Sequence, residues 1–289
     1  TNISGGAQFG PKLLWVIVLA SILAIFIQVN AAKLGIATGK GVATLCRERL
    51  SKPSVLILWA AAELAMIATD MAEIIGAAIG FSLIFNLPLW AGAVLAGISS
   101  FALLGVRTAH QKGYRVIEFV IMGMVAVVGI AFLFEMVLAE PTLDIITTGM
   151  IPTLPNVSAL YVAIGIFGAT VMPHSVYLHS HLVQDRRRLS LSKKKDEIPA
   201  SHHRHFHFET FDTSTALFAA MFVNAAMLIV AAAALQGTGI ETLDEAYITL
   251  ENVFGPYSSY AFGIALIAAG LSSSLVATMA GQTVMDGFL

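Results

Sequence analysis

Apolar residues in this chain come in long unbroken blocks, not in the period-two alternation of a half-buried strand or the narrow stripe of a surface helix. Windows of about 20 apolar residues fall at 12–36, 54–82, 88–106, 114–138, 158–183, 212–236 and 256–284. Each is long enough to cross a bilayer as a helix, whose backbone amides are satisfied within the segment itself. The short amphipathic head, residues 1–10, reads as the end of a helix whose beginning lies outside the chain. The pattern predicts an all-α, polytopic membrane protein forming a single, partial transmembrane domain over 1–289.

Composition agrees. The chain is 57% hydrophobic and 12% charged, with mean hydropathy +0.82; a soluble domain carries roughly twice that charge fraction. One cysteine, Cys46, excludes an intramolecular disulfide and a cysteine-based zinc site. No cleavable signal peptide is visible. The chain begins at Thr1, not Met, which predicts a start inside a longer reading frame.

Charge sorts the connections into two sets. Residues 38–53, 107–113 and 184–211 alternate with 83–87, 139–157 and 237–255, so the sets are expected on opposite faces. Fifteen of the 16 Lys and Arg flank the first set, Lys12 being the exception. The positive-inside bias makes that face cytoplasmic in a multi-pass protein of the plasma membrane. The opposite connections hold Glu140, Asp144, Glu241, Asp244, Glu245 and Glu251 and no Lys or Arg.

Against this background a few polar positions stand out. Gly168-Ala169-Thr170-Val171-Met172-Pro173-His174 lies inside the apolar segment from Ala159 to Val183. A Pro in mid-span removes a backbone donor and breaks the helix near 168–173. Secondary transporters build midplane ion sites at such breaks; a plain proline kink beside a buried His is the simpler reading. Met172 would be the selective element, because a thioether suits Mn(II), Fe(II), Co(II) or Cd(II) and offers nothing to Mg(II) or Ca(II). The second window holds Glu63, Asp70 and Glu73, which share one arc of roughly 80° at about 100° per residue. Three carboxylates on one face of a span imply a polar interior or a water-filled path; a structural cluster paired with bases elsewhere is the alternative. His174, beside the break, is the better proton carrier, with His179 and His181 further along the same span. The tract His202-His203-Arg204-His205-Phe206-His207 lacks the spacing of a defined metal site and reads as an unstructured polar loop.

Other classes lack their parts. There is no G-x-x-x-x-G-K-[ST] for an ATP-driven pump and no H-E-x-x-H for an intramembrane zinc protease. The basic connections lack interleaved aromatics, so no nucleic-acid partner is expected. No enzymatic activity and no cofactor are expected.

Gly168-Ala-Thr-Val-Met-Pro-His174, continued by Ser175-Val-Tyr-Leu-His-Ser180, together with Ala68-Thr-Asp-Met-Ala-Glu73, resembles the Nramp family of proton-coupled divalent-metal transporters, built on the LeuT-type inverted repeat. Thr1-Asn-Ile-Ser-Gly-Gly6 and Gly270-Leu-Ser-Ser-Ser274 support the likeness, which is weakest over 187–210. The resemblance implies that Met172 coordinates metal with the backbone carbonyl of Ala169. It implies that His174, Asp70 and Glu73 lie on the proton route, with Glu63 facing the same way. Arg186 would belong to an inner-gate polar network. The family's first-helix Asp-Pro-Gly-Asn segment and its helices beyond Leu289 are absent from the sequence, so the site it offers is incomplete. The expected function is secondary active import of Mn2+, Fe2+ and similar ions with proton co-transport. The alternatives are a LeuT-type transporter of an amino acid or Mg2+, or a truncated membrane protein that does not transport. Partners are then divalent metal ions, protons and the lipid bilayer; nothing in the sequence sets the oligomeric state.

Overall fold

The computed structural model describes residues 1–109, 113–191, 198–237 and 243–289, with no strand among the described residues. The helices are α1 (Asn2–Phe9), α2 (Leu14–Thr38), α3 (Val42–Arg49), α4 (Lys52–Phe85), α5 (Leu89–Ala109), α6 (Gly113–Ala139), α7 (Leu143–Gly149), α8 (Val157–Val171), α9 (Pro173–Leu191), α10 (Ile198–Ala234), α11 (Leu243–Phe254) and α12 (Pro256–Phe288). Among the described residues six stretches are long and apolar enough to cross a membrane: Asn2–Thr38, Lys52–Phe85, Phe119–Ala139, Val157–Gln184, His203–Ala234 and Pro256–Phe288. A shorter apolar helix covers Leu89–Gly105.

Local chemistry sets the breaks. Gly10 (φ 62°) and a four-residue 3-10 turn, Gly10–Leu13, separate α1 from α2. Asn156 accepts from the Ala159 amide through Oδ1 at 2.8 Å and caps α8. Pro173 and Pro256 occupy first helical positions, where a missing N–H costs nothing.

The chain divides into two compact units. The first comprises Thr1–Leu19, Asp70–Phe167 and Met221–Leu275. Its core joins Val128 and Phe132 of α6 to Val230 and Leu235 of α10, Leu250 of α11 and Phe262 of α12. A second cluster packs Leu13 and Ile17 on Ile166 and Leu228. The other unit comprises Ala20–Thr69, Gly168–Ala220 and Val276–Leu289. Its core sets Met66 of α4 against Leu178 of α9 and Met279, Val284 and Phe288 of α12.

Many large apolar side chains face outward: Ile57 and Leu64 are each 68% exposed, and only 6% of the most apolar window of α4 is buried. Such a helix is stable where lipid covers it.

The connections hold more helix than the apolar pattern predicts. The connections 139–157 and 237–255 contain α7 and α11, and the basic stretch 38–53 contains α3. In α11, Leu243, Ala246, Tyr247, Leu250 and Phe254 form a helical stripe that packs on the first core. The described part of the histidine tract lies within α10, and His203 stacks near His207 at 4.5 Å between ring centroids, one helical turn on.

Candidate functional site

The helix through 157–191 is interrupted at one residue. The structure ends α8 at Val171 and starts α9 at Pro173, leaving Met172 between them at φ 45°. The left-handed region is uncommon for a residue with a Cβ, and holding one there costs about 1–3 kcal/mol. Both sides of the break use Met172. Its amide donates to the Gly168 carbonyl at 3.2 Å, and its carbonyl accepts from the Ser175 amide at 3.0 Å. The carbonyl of Ala169 would ordinarily accept from residue 173, but Pro173 has no N–H. A peptide oxygen without its helical donor therefore lies one turn before the thioether. The Ser175 hydroxyl approaches Met172 Sδ at 3.9 Å. His174 follows at 5% exposure, and its Nδ1 has no hydrogen-bond partner among the described residues.

The acidic pair has different neighbours. In the first unit the Ser274 hydroxyl donates to Asp70 Oδ1 at 2.7 Å. Gly270 brings α12 onto α4 there. A Cβ at that position would stand 2.5 Å from the Glu73 carbonyl oxygen and 2.7 Å from Ala77 Cβ. Small residues at membrane helix contacts allow such approach. Glu63 belongs to the second unit, and its Oε1 has no hydrogen-bond partner among the described residues.

His179 is tied down within the second unit. Its Nδ1 lies 3.0 Å from Gln28 Oε1 of α2. Nε2 faces Glu209 Oε2 of α10 at 3.9 Å. Gly35 permits the α2–α9 contact, since a Cβ there would stand 2.5 Å from the Ser180 carbonyl oxygen.

Sequence reasoning passed over Glu135. This α6 residue is fully buried, and neither carboxylate oxygen has a hydrogen-bond partner among the described residues. The signal was present, for an acid deep within an apolar span marks a functional position by default. Arg186 lies in a stretch whose side chains fall outside the described residues. Among the described residues no three His, Cys, Asp or Glu converge as a metal cluster.

A family model described as natural resistance-associated macrophage protein-like matches residues 1–289. The chain belongs to the Nramp family. This Nramp chain is 45% identical over 293 residues to the divalent metal cation transporter MntH of Caldanaerobacter subterraneus subsp. tengcongensis, covering 100% of the chain and 67% of that relative. It is 44% identical to MntH of Klebsiella pneumoniae subsp. pneumoniae, covering 68% of it. Among solved structures it is similar to the Eremococcus coleocola manganese transporter in complex with an aromatic bis-isothiourea substituted compound. The TM-score is 0.83 at 32% identity, over 99% of this chain and 61% of that one. The Nramp chain thus spans about two thirds of the length of its curated relatives, which carry the names of transporters and not of enzymes. Its fold is all-helical and LeuT-like, and it is an integral, multi-pass membrane protein.

Proposed function

We propose that this protein imports divalent transition-metal ions, Mn2+ and Fe2+ among them, in symport with protons. The observation that carries the reading is Met172, held left-handed between α8 and α9. Beside it stands a peptide oxygen that Pro173 has deprived of its donor. A thioether and a carbonyl together favour a soft or borderline divalent ion over Mg2+ or Ca2+. The names of the MntH relatives and of the manganese transporter point to the same class of cargo.

In this reading Met172 Sδ and the Ala169 carbonyl bind the metal. His174, Asp70, Glu73 and Glu63 carry the proton, and Arg186 belongs to an inner-gate network. The basic stretches 38–53, 107–113 and 184–211 face the cytoplasm, so both ions move inward. Rocking of broken helices against a scaffold provides alternating access.

The test is Mn2+ uptake into liposomes by the reconstituted protein, with Mg2+ or Ca2+ as competitor. Met172→Ala is expected to reduce discrimination roughly tenfold, equivalent to about 1.4 kcal/mol. Unchanged discrimination would remove the thioether from the selectivity step.

A further inference from the structure

Glu135 is the polar group of the first unit that the transport reading leaves without a role. It is 0% exposed, and neither carboxyl oxygen has a hydrogen-bond partner among the described residues. Because the group is already fully covered, no further segment has to close over it. Buried polar atoms almost always have partners, so an orphaned acid needs its own account.

The packing of α6 on α12 shows what stands opposite. Met124 shares a core cluster with Ile267 and Leu271, and Phe132 meets Phe262 edge-on at 6.4 Å between ring centroids. The two helices therefore run antiparallel. One further turn along the pair sets Glu135 level with Ser258 and Ser259, both 0% exposed. The Ser259 hydroxyl lies 3.0 Å from the Pro256 carbonyl and 3.5 Å from Glu251 Oε2 of α11. The Ser258 hydroxyl has no partner among the described residues. Two oxygens of Glu135 and one of Ser258 thus stand without partners at one level of the core.

No base neutralises the acid. Lys12 is the basic side chain described in this unit, and it is exposed on the 3-10 turn. Both ion pairs among the described residues lie in the other unit. Within this unit the described side chains of α1, α2, α5 and α10 include no titratable group. Helix α11 turns Tyr247 onto the core and Glu251 toward Ser259. Asp144 of α7, Tyr161 of α8 and Tyr257 and Tyr260 of α12 are exposed. Asp70 and Glu73 of α4 belong to the level of Ser274, about 24 Å along α12 from Ser258 at the helical rise per residue.

A carboxylate stripped of water, with neither a base nor a donor, is strongly disfavoured. A hard divalent cation takes about six oxygens or more, and the orphaned set is half of that. A proton needs one acceptor beside its own oxygen, and a serine hydroxyl can supply it.

We propose that Glu135 is an occluded proton site: it holds a proton as a neutral carboxylic acid and turns that O–H toward Ser258. The proton allows α6 and α12 to close on each other, and its loss would draw water or a cation into the contact. The site is separate from the acidic pair of α4 and stands whether or not the protein carries metal.

Infrared spectroscopy of the purified protein in lipid at neutral pH tests this, with circular dichroism to confirm that each variant is folded. Glu135→Gln is expected to lose one carboxylic-acid carbonyl band and no carboxylate band. Ser258→Ala should shift that band, and Asp70→Asn should leave it in place. Loss of carboxylate bands in Glu135→Gln would show an ionised group and overturn the proposal. A band that moves when Na+ replaces K+ would show a bound cation and overturn it as well. A band that Ser258→Ala leaves unmoved would overturn the pairing with Ser258. Where Glu135→Gln does not fold, Glu135→Asp should move the same band, and an unmoved band counts against the site equally.

Discussion

Ser274 donates its hydroxyl to Asp70 Oδ1 at 2.7 Å, tying the middle of α12 to the middle of α4 within one unit. Such a bond fixes the orientation of a carboxylate within a span. Asp70→Asn is expected to weaken proton flux, or its coupling to Mn2+ uptake, far more than it weakens Mn2+ binding. Parallel measurements of proton and metal flux in liposomes, with metal affinity measured in detergent, check this. Intact proton flux with normal coupling would remove Asp70 from the proton route. Ser274→Ala takes away one partner of that carboxylate and should cost about 1–3 kcal/mol of stability.

Gly270 makes that contact possible, and its replacement should be costly in a way that composition alone does not suggest. In Gly270→Ala the new methyl meets the Glu73 backbone oxygen and Ala77. Neither is the mobile end of a side chain, so the helices must part. A loss of about 1–3 kcal/mol follows from such overpacking. Gly97 of α5 is the control, because nothing lies within 4 Å of a Cβ placed there. Gly97→Ala should be neutral or stabilising by about 0.5–1 kcal/mol through helix propensity. Thermal unfolding in detergent separates the two; equal shifts would contradict the α4–α12 packing.

Cys46 reports on sidedness and on burial together. It lies on α3 in the basic connection, partly covered, and burial pushes its thiol up from the ordinary value. Less thiolate is then present at neutral pH, and the thiolate is the species that reacts. Alkylation by an impermeant maleimide is expected only from the cytoplasmic side. It should be slower than for a free thiol at pH 7 and should keep accelerating with pH after a free thiol has levelled off. Labelling from the outer side would reverse the orientation.

Much of the scaffold was legible because membrane spans announce themselves as apolar runs, and α2, α4, α6 and α12 follow theirs closely, whereas α10 begins at Ile198, well before its apolar run opens at 212. The break was legible through Pro173, a residue that cannot donate. The left-handed backbone of Met172 was not, since no local preference sends methionine there; the surrounding fold imposes it. Helices α7 and α11 were missed because they are too short to span and their connections were read by charge. The bond from Ser274 to Asp70 needs α12 laid on α4, which spacing along one helix cannot reveal. The same holds for His179, whose ring is tied to Gln28, 151 residues away in sequence. Glu135 was visible as an acid deep within an apolar block, and three acids sharing a face drew the reading away from it.

Cadmium X-ray absorption on the purified protein tests most directly whether the opened turn between α8 and α9 holds a soft divalent ion. Wild type is expected to show a sulfur neighbour to bound Cd2+ that disappears in Met172→Ala. In Met172→Gly, which relaxes the left-handed backbone but removes the sulfur, that neighbour should be missing as well. A cadmium spectrum with only nitrogen and oxygen neighbours, or a sulfur neighbour that survives both substitutions, would contradict the account.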